Sequence, residues 1–202
     1  MKRPTPSPRS SGSAARLSSA PQEVRILGGL WKRTPLPVPL VDGLRPTSSR
    51  VRETLFNWLG QDLSGWRVLD AFAGSGALGL EAASRGAQAV VLLERHPELA
   101  RSLQATVRKL KAAQVTVHAT DALAWMARPQ PREAFDLVFL DPPFGQDLFD
   151  AALTRALQCV PPGGWVYLES PTAMPTLAGT RLHRQGQAGQ VHFHLFQREG
   201  AA

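Results

Sequence analysis

Cysteine is almost missing from this chain: Cys159 stands alone among 202 residues. One thiol excludes an intrachain disulfide and a cysteine-cluster metal site, and it suits a reducing compartment. Long apolar runs are missing too. No stretch approaches the roughly 20 apolar residues of a membrane helix, and no hydrophobic core of a secretory signal precedes the body, so a soluble cytoplasmic protein is expected. Acidic residues are scarce at the front. Residues 1–60 carry ten Lys and Arg against Glu23, Asp42 and Glu53, whereas residues 61–202 carry thirteen of each sign. The net charge of +7 therefore belongs to the first 60 residues. A neutral body with a basic front end points to a polyanionic partner, most simply a nucleic acid, against the plainer reading of a solvated basic tail.

The length fits one domain with a real core. Residues 1–23, rich in Pro, Ser, Arg and Ala and without apolar periodicity, read as a disordered basic extension. Their composition also suits an organellar transit peptide, but a bacterial extension is the simpler reading. Residues 24–60 form the next unit, where Arg25, Lys32 and Arg33 interleave with Ile26, Leu27 and Trp31. Gly28-Gly29 predicts a hairpin turn between two short strands, and Pro35, Pro37 and Pro39 place the second strand at an edge. Cationic side chains around an aromatic suit a phosphate backbone. Thr47 or Ser48 is placed to cap a helix that runs to about Leu59 and closes at Gly60. Arg45, Arg50 and Arg52 crowd its entrance, either as a solvated face or as contacts to a phosphate or a carboxylate.

Residues 61–202 alternate short apolar runs with helical patterns. Strands are predicted over 67–73, 89–93, 115–119, 135–140 and 165–168, and helices over 77–84, 97–111 and 147–159. Segments 180–184 and 191–197, around Gly186 and Gly189, predict a closing antiparallel hairpin. Asp70, Glu94, Asp121 and Asp141 fall at or just beyond the carboxyl ends of the predicted strands, where open α/β sheets bind ligands. His183, His192 and His194 show no metal-ligand spacing.

Two motifs carry chemistry. Gly74-Ser75-Gly76-Ala77-Leu78-Gly79 satisfies GxGxxG, and Glu94 lies near the offset of a dinucleotide fingerprint, so a nicotinamide oxidoreductase is a competitor. Asp70 stands against it. A carboxylate four residues before the first glycine repels a pyrophosphate but attracts an ammonium. Glu94 suits ribose hydroxyls and Asp121 an adenine amine, which together describe a nucleoside with an amino-acid tail, S-adenosylmethionine. The second motif, Asp141-Pro142-Pro143-Phe144, leaves the sheet with both proline φ angles fixed. It presents an acid, a carbonyl and an aromatic face, the groups that hold an exocyclic amine and its base, although a strand followed by a Pro-Pro loop is the bland alternative.

Asp70-Ala71-Phe72-Ala73-Gly74-Ser75-Gly76, Glu94, Asp121 and Asp141-Pro142-Pro143-Phe144, in this order, resemble the class I S-adenosylmethionine-dependent methyltransferases that modify exocyclic amines. Arg25-Ile26-Leu27-Gly28-Gly29-Leu30-Trp31, the stretch from Leu44 to Leu59 and Gln185-Gly186-Gln187-Ala188-Gly189-Gln190 narrow the resemblance to bacterial 16S rRNA guanine-N2 methyltransferases of the RsmD type. The resemblance spans residues 24–198. It implies an α/β Rossmann-like sheet of seven strands, parallel apart from the last one inserted, with helices on both faces and a small N-terminal β-hairpin extension.

It further implies a 24–60 RNA-binding unit on a 61–202 methyltransferase domain, acting as a monomer on 16S rRNA within an assembling small ribosomal subunit, with no membrane and no metal. The cofactor would lie on Asp70, Ala71, Phe72, Gly74, Gly76, Glu94, Arg95, Asp121 and Ala122. RNA would lie on Arg25, Lys32, Arg33, Arg45, Thr47, Arg50 and Arg52. Asp141, Pro142, Pro143 and Phe144 would hold a flipped-out guanine whose N2 amine receives the methyl group, with Phe144 stacking for roughly 1–3 kcal/mol. Asp at the first motif position leans toward guanine N2 over adenine N6. A non-catalytic RNA-binding module is a third possibility.

Overall fold

The computed structural model describes residues 24–39, 47–129, 132–143 and 148–200. The expectations for the 1–23 extension, for Arg45 and for Phe144 lie outside these residues. Two short strands, β1 (Val24–Arg25) and β2 (Pro35–Leu36), pair antiparallel ahead of the main sheet. Helix α1 (Ser49–Trp58) follows, with the Ser48 side chain accepting the Val51 N–H as its cap.

The main sheet is built from β3 (Arg67–Asp70), β4 (Ala89–Glu94), β5 (Val115–Ala119), β6 (Leu137–Leu140), β7 (Trp165–Ser170), β8 (Thr180–Ala188) and β9 (Val191–Arg198). Their order is β5-β4-β3-β6-β7-β9-β8. Strands β3 to β7 pair in parallel, and β9 lies antiparallel between β7 and β8. After β3 the chain builds β4 and β5 on one side, then returns to β6 on the other. That reversal is a topological switch point, the place where such sheets open a ligand crevice.

Every residue of β6 is buried, because helices cover both faces. On one face Leu55 and Phe56 of α1, Leu80 of α2 (Gly79–Ser84) and Leu103 of α3 (Pro97–Leu110) pack with Val68, Leu92, Leu137 and Phe139. On the other, Met126 of α4 (Ala122–Met126) and Leu153 and Cys159 of α5 (Phe149–Cys159) pack with Leu69, Val138 and Leu168. Side chains alternate along a strand, so the residues beyond Val68, Leu92 and Phe139 on the α1 face are Asp70, Glu94 and Asp141. Cys159 is sealed in the second face, and burial pushes its thiol up to about 11. Among the described residues no helix is long and apolar enough to cross a membrane.

Glu81 fastens the N-terminal segment to this body. Its carboxylate, fully buried on α2, accepts the N–H of Leu27 at 2.7 Å and of Gly28 at 2.8 Å. The same group pairs with Arg85 at 2.8 Å and with Arg52 at 3.5 Å. Ser84 adds to the seam: its Oγ accepts the Trp31 N–H at 2.9 Å and donates to the Gly28 carbonyl at 2.6 Å. Gly29 has φ +72°, and a Cβ there would stand 1.8 Å from the Ser84 carbonyl oxygen. Only glycine allows so close an approach.

Two expectations change here. Gly28-Gly29 is not the tight turn of a hairpin. It lies within a wider connection, residues 26–34, because the amides of residues 27, 28, 30 and 31 bond to Glu81 and Ser84 on α2. Arg52 is not on a solvent-facing RNA surface. It is 2% exposed, donates to the Arg25 carbonyl at 2.9 Å, and is charge-balanced by Glu81, while burial pulls its pKa below the ordinary value. Glu81→Ala leaves that guanidinium uncompensated, and a loss of about 3–5 kcal/mol is expected in urea unfolding. A loss below about 1 kcal/mol would show that the seam is not what holds the segment.

Candidate active site

A cavity of about 580 Å³ opens at the carboxyl ends of β3, β4, β6 and β7. The loop from residue 71 to 78, the start of α1, the ends leading into α3 and α4, and the β8–β9 hairpin close its walls. Strand and helix ends build it for a plain reason. Asp70, Glu94, Asp121 and Asp141 each sit where a strand or its short extension stops, so the carboxyl group reaches beyond the ladder.

Each acid is held locally. The Asp70 Oδ2 accepts the Gly79 N–H at 2.9 Å, and it is 1% exposed. A Cβ on Gly79 would meet Leu92 at 2.2 Å and Asp70 Oδ2 at 3.0 Å, so a glycine there lets α2 begin directly against the acid. Glu94 accepts from Gly74 N–H at 2.9 Å and from His96 N–H at 2.7 Å. Asp121 caps α4, accepting the Ala124 N–H at 2.8 Å. Thr47 Oγ1 donates to Asp141 Oδ2 at 3.3 Å, across the cavity from the sequence neighbourhood of the acid.

Desolvation governs the charges. Burial pushes the Asp70 carboxyl up to about 7, opposed by its bond from Gly79 and reinforced by Glu94 and Glu169. Asp141 reaches the cavity with part of its surface, yet its carboxyl is enclosed. Burial, then Glu169, then Asp70 raise its pKa well above the usual carboxylate range, and only the Thr47 hydroxyl works the other way. Burial also raises Glu169, which accepts a 2.9 Å bond from the Tyr167 hydroxyl. Low-dielectric surroundings magnify repulsion among these like charges.

The cavity brings together Asp70, Ala71, Phe72, Gly74, Glu94, Arg95, Asp121, Ala122, Asp141, Pro142 and Pro143. Gly76 is not among its lining residues. A Cβ there would meet Leu103 and Leu80, so Gly76 serves the turn into α2. Thr47, expected to touch RNA, lines the same cavity and donates to Asp141. Arg25, Lys32, Arg33 and Arg50 are exposed and stand outside the cavity. Sequence reasoning passed over Glu169, Tyr167 and His96. An acid inside the apolar run of β7 was the available signal for Glu169, since Leu140 and Leu168 pair in register and the next residues are Asp141 and Glu169.

A nucleoside with an amino-acid tail fits this donor set. Phe72, Leu99 and Leu123 offer apolar walls for a purine, Glu94 stands for a ribose diol, and His96 Nδ1 is a buried ring nitrogen without a protein partner beside it. Among the described residues no His, Cys, Asp or Glu cluster is arranged to hold a metal ion.

The raised Asp70 has a stability consequence. The folded protein keeps a proton there that the unfolded chain gives up near pH 4, so its contribution to stability falls as pH rises from about 4 to 7. Asp70→Asn keeps an oxygen for the Gly79 N–H and removes this dependence. Its unfolding free energy is expected to gain up to about 4 kcal/mol on the parent between pH 4 and pH 8. A constant gap between the two proteins across that range would contradict the assignment.

A family model described as "Conserved hypothetical protein 95" matches residues 24–197. Ribosomal RNA small subunit methyltransferase D of Escherichia coli K12 is 41% identical over 186 residues, which cover 88% of this chain and 91% of the relative. The protein of the same name from Haemophilus influenzae is 39% identical over 185 residues, covering 89% and 96%. The solved structure of Escherichia coli yhhF superposes with a TM-score of 0.80 at 40% identity, over 89% of this chain and 100% of that one. With its seven-stranded sheet and cavity at the switch point, the chain belongs to the conserved hypothetical protein 95 family of class I methyltransferases, alongside the small subunit methyltransferase D proteins.

Proposed function

We propose that this protein methylates the exocyclic N2 amine of a specific guanine in 16S rRNA, using S-adenosylmethionine. The observation that carries this reading is one cavity in which Asp141-Pro142-Pro143 lies beside a nucleoside-shaped set of acids, Asp70, Glu94 and Asp121. The relatives named as small subunit rRNA methyltransferases support ribosomal RNA as the substrate class. The nicotinamide alternative loses ground at α2, because the Gly79 N–H that a pyrophosphate would use already bonds to Asp70.

In this reading Glu94 accepts the ribose hydroxyls, Asp70 attracts the ammonium, and Asp121 and Ala122 meet the adenine edge. Bound there, the cofactor supplies a methyl group made electrophilic by its sulfonium. The chain must then prepare a poor nucleophile, since the lone pair of the guanine amine is delocalised into its ring. Asp141 and the Pro142 carbonyl accept the two N–H bonds, which favours a tetrahedral nitrogen with its lone pair free. The proline pair fixes both acceptors, so orientation is built in before the base arrives. Burial beside other acids raises the proton affinity of Asp141, which suits it to take the amine's proton. Phe144, next along the chain, is the proposed stacking face.

The basic residues Arg25, Lys32, Arg33, Arg45 and Arg50 are the proposed contacts to phosphate, on a 24–60 unit that shares its core with the sheet through Ile26, Leu36 and Leu55. A monomer working in the cytoplasm on an assembling small subunit is consistent with this arrangement.

Asp141→Ala is expected to retain S-adenosylhomocysteine binding in a thermal-shift assay and to lose at least about 100-fold in methyl transfer. Full activity would remove Asp141 from its role, and stabilisation by NAD but not S-adenosylhomocysteine would restore the oxidoreductase. Replacing Arg45 and Arg50 by Gln is expected to weaken RNA binding and lower the slope of log K against log salt by up to about 2. An unchanged slope would move the RNA surface elsewhere.

A further inference from the structure

The floor of the cavity holds a carboxylate that the chemistry above leaves idle. Glu169 follows Leu168 on β7 as Asp141 follows Leu140 on β6, and the two leucines are register partners of parallel strands. The acids therefore stand side by side, roughly one strand spacing of 4.8 Å apart at the backbone. Alternation turns both toward the α1 face, with Phe139 and Tyr167 below them. Glu169 is 4% exposed yet lines the cavity.

The hydroxyls near the floor are already committed. Tyr167 donates to Glu169 at 2.9 Å, and Thr47 donates to Asp141 at 3.3 Å while also lying against Glu169. Asp70 adds a third acid, and Pro142 lines the same cavity. A carboxylate has about four lone-pair positions, so Glu169 keeps capacity beyond Tyr167 and Thr47. The floor thus offers adjacent acceptors to whatever enters, and its ideal occupant carries two N–H donors on neighbouring atoms.

We propose that Glu169 is a specificity-determining residue that accepts the N1–H of guanine while Asp141 accepts from the neighbouring N2 amine. This deepens the guanine reading above and rests on it. Guanine presents N1–H next to its amine. Adenine and cytosine present a ring-nitrogen lone pair at the corresponding place, which a carboxylate would repel, and uracil has no amine at all. The second acid therefore rejects the other amino bases without needing a clash.

The test uses 16S rRNA ligated to carry either guanosine or 2-aminopurine riboside at the nucleotide that the wild-type protein labels, assembled into small-subunit particles. 2-Aminopurine keeps the N2 amine but has a lone pair at N1. Wild type is expected to prefer guanine by roughly 10–100-fold in kcat/KM, the range for losing one hydrogen bond to a charged group, with the same ordering in RNA affinity. Glu169→Gln, whose amide donates an N–H to that lone pair, is expected to narrow or reverse the preference. Equal preference in wild type and Glu169→Gln, or no preference in wild type, overturns the proposal. If Glu169→Gln fails to fold, as judged by its melting curve, the wild-type ratio alone decides. Label that lands on a base other than guanine refutes the parent reading as well, an outcome distinct from the loss of discrimination.

Discussion

One buried carboxylate on α2 determines where much of this molecule goes. Glu81 has no access to water, and two amides from the 26–34 connection and two guanidinia, Arg52 and Arg85, surround its carboxylate. Those partners come from the N-terminal segment, from α1 and from the residue that ends α2. The interaction therefore sets the seat of α1 upon the sheet, and the stacking of Trp58 on Phe193 at 5.3 Å fixes its far end. With both ends placed, the residues just before α1 are carried over the mouth of the sheet, and Thr47 comes to rest on Asp141.

That placement matters because the mouth is electrically unusual. Three acids, Asp70, Asp141 and Glu169, share one face of the sheet; burial raises the proton affinity of each, and Glu169 adds to the rise at both Asp70 and Asp141. Folding tolerates such a cluster only where something else in the fold gains, here the packing of Leu69, Val138 and Leu168 directly behind it. A site that is strained by like charges is also a site whose energy drops when donors arrive. Under the proposed function, recognition of an amine-bearing base and recognition of an ammonium would draw on the same imbalance.

Much of this was readable from the residues themselves. The runs that became β3 to β7 are short, apolar and rich in Val, Leu and Phe, and each ends in or near an acid, so both strands and cavity could be placed from spacing. Three things escaped. Arg52 looked like its basic neighbours, because nothing local tells a paired, interior guanidinium from a solvated one when its partner, Glu81, is 29 positions away. Gly28-Gly29 carried a turn signature, but its real constraint is the Ser84 carbonyl pressed against it from α2. Glu169, just past the strand predicted over 165–168, shows nothing local of its position, which only the register of β6 and β7 beside Asp141 reveals. In each case the deciding fact is a contact between segments far apart in sequence.

The cavity walls draw on residues from Thr47 to Val191. A chain still being synthesised thus lacks the last wall until β9 has been made and slotted between β7 and β8. The chamber is thus completed by a hairpin distant in sequence from the parallel strands that form its floor, and a fragment lacking that hairpin would leave it open on one side.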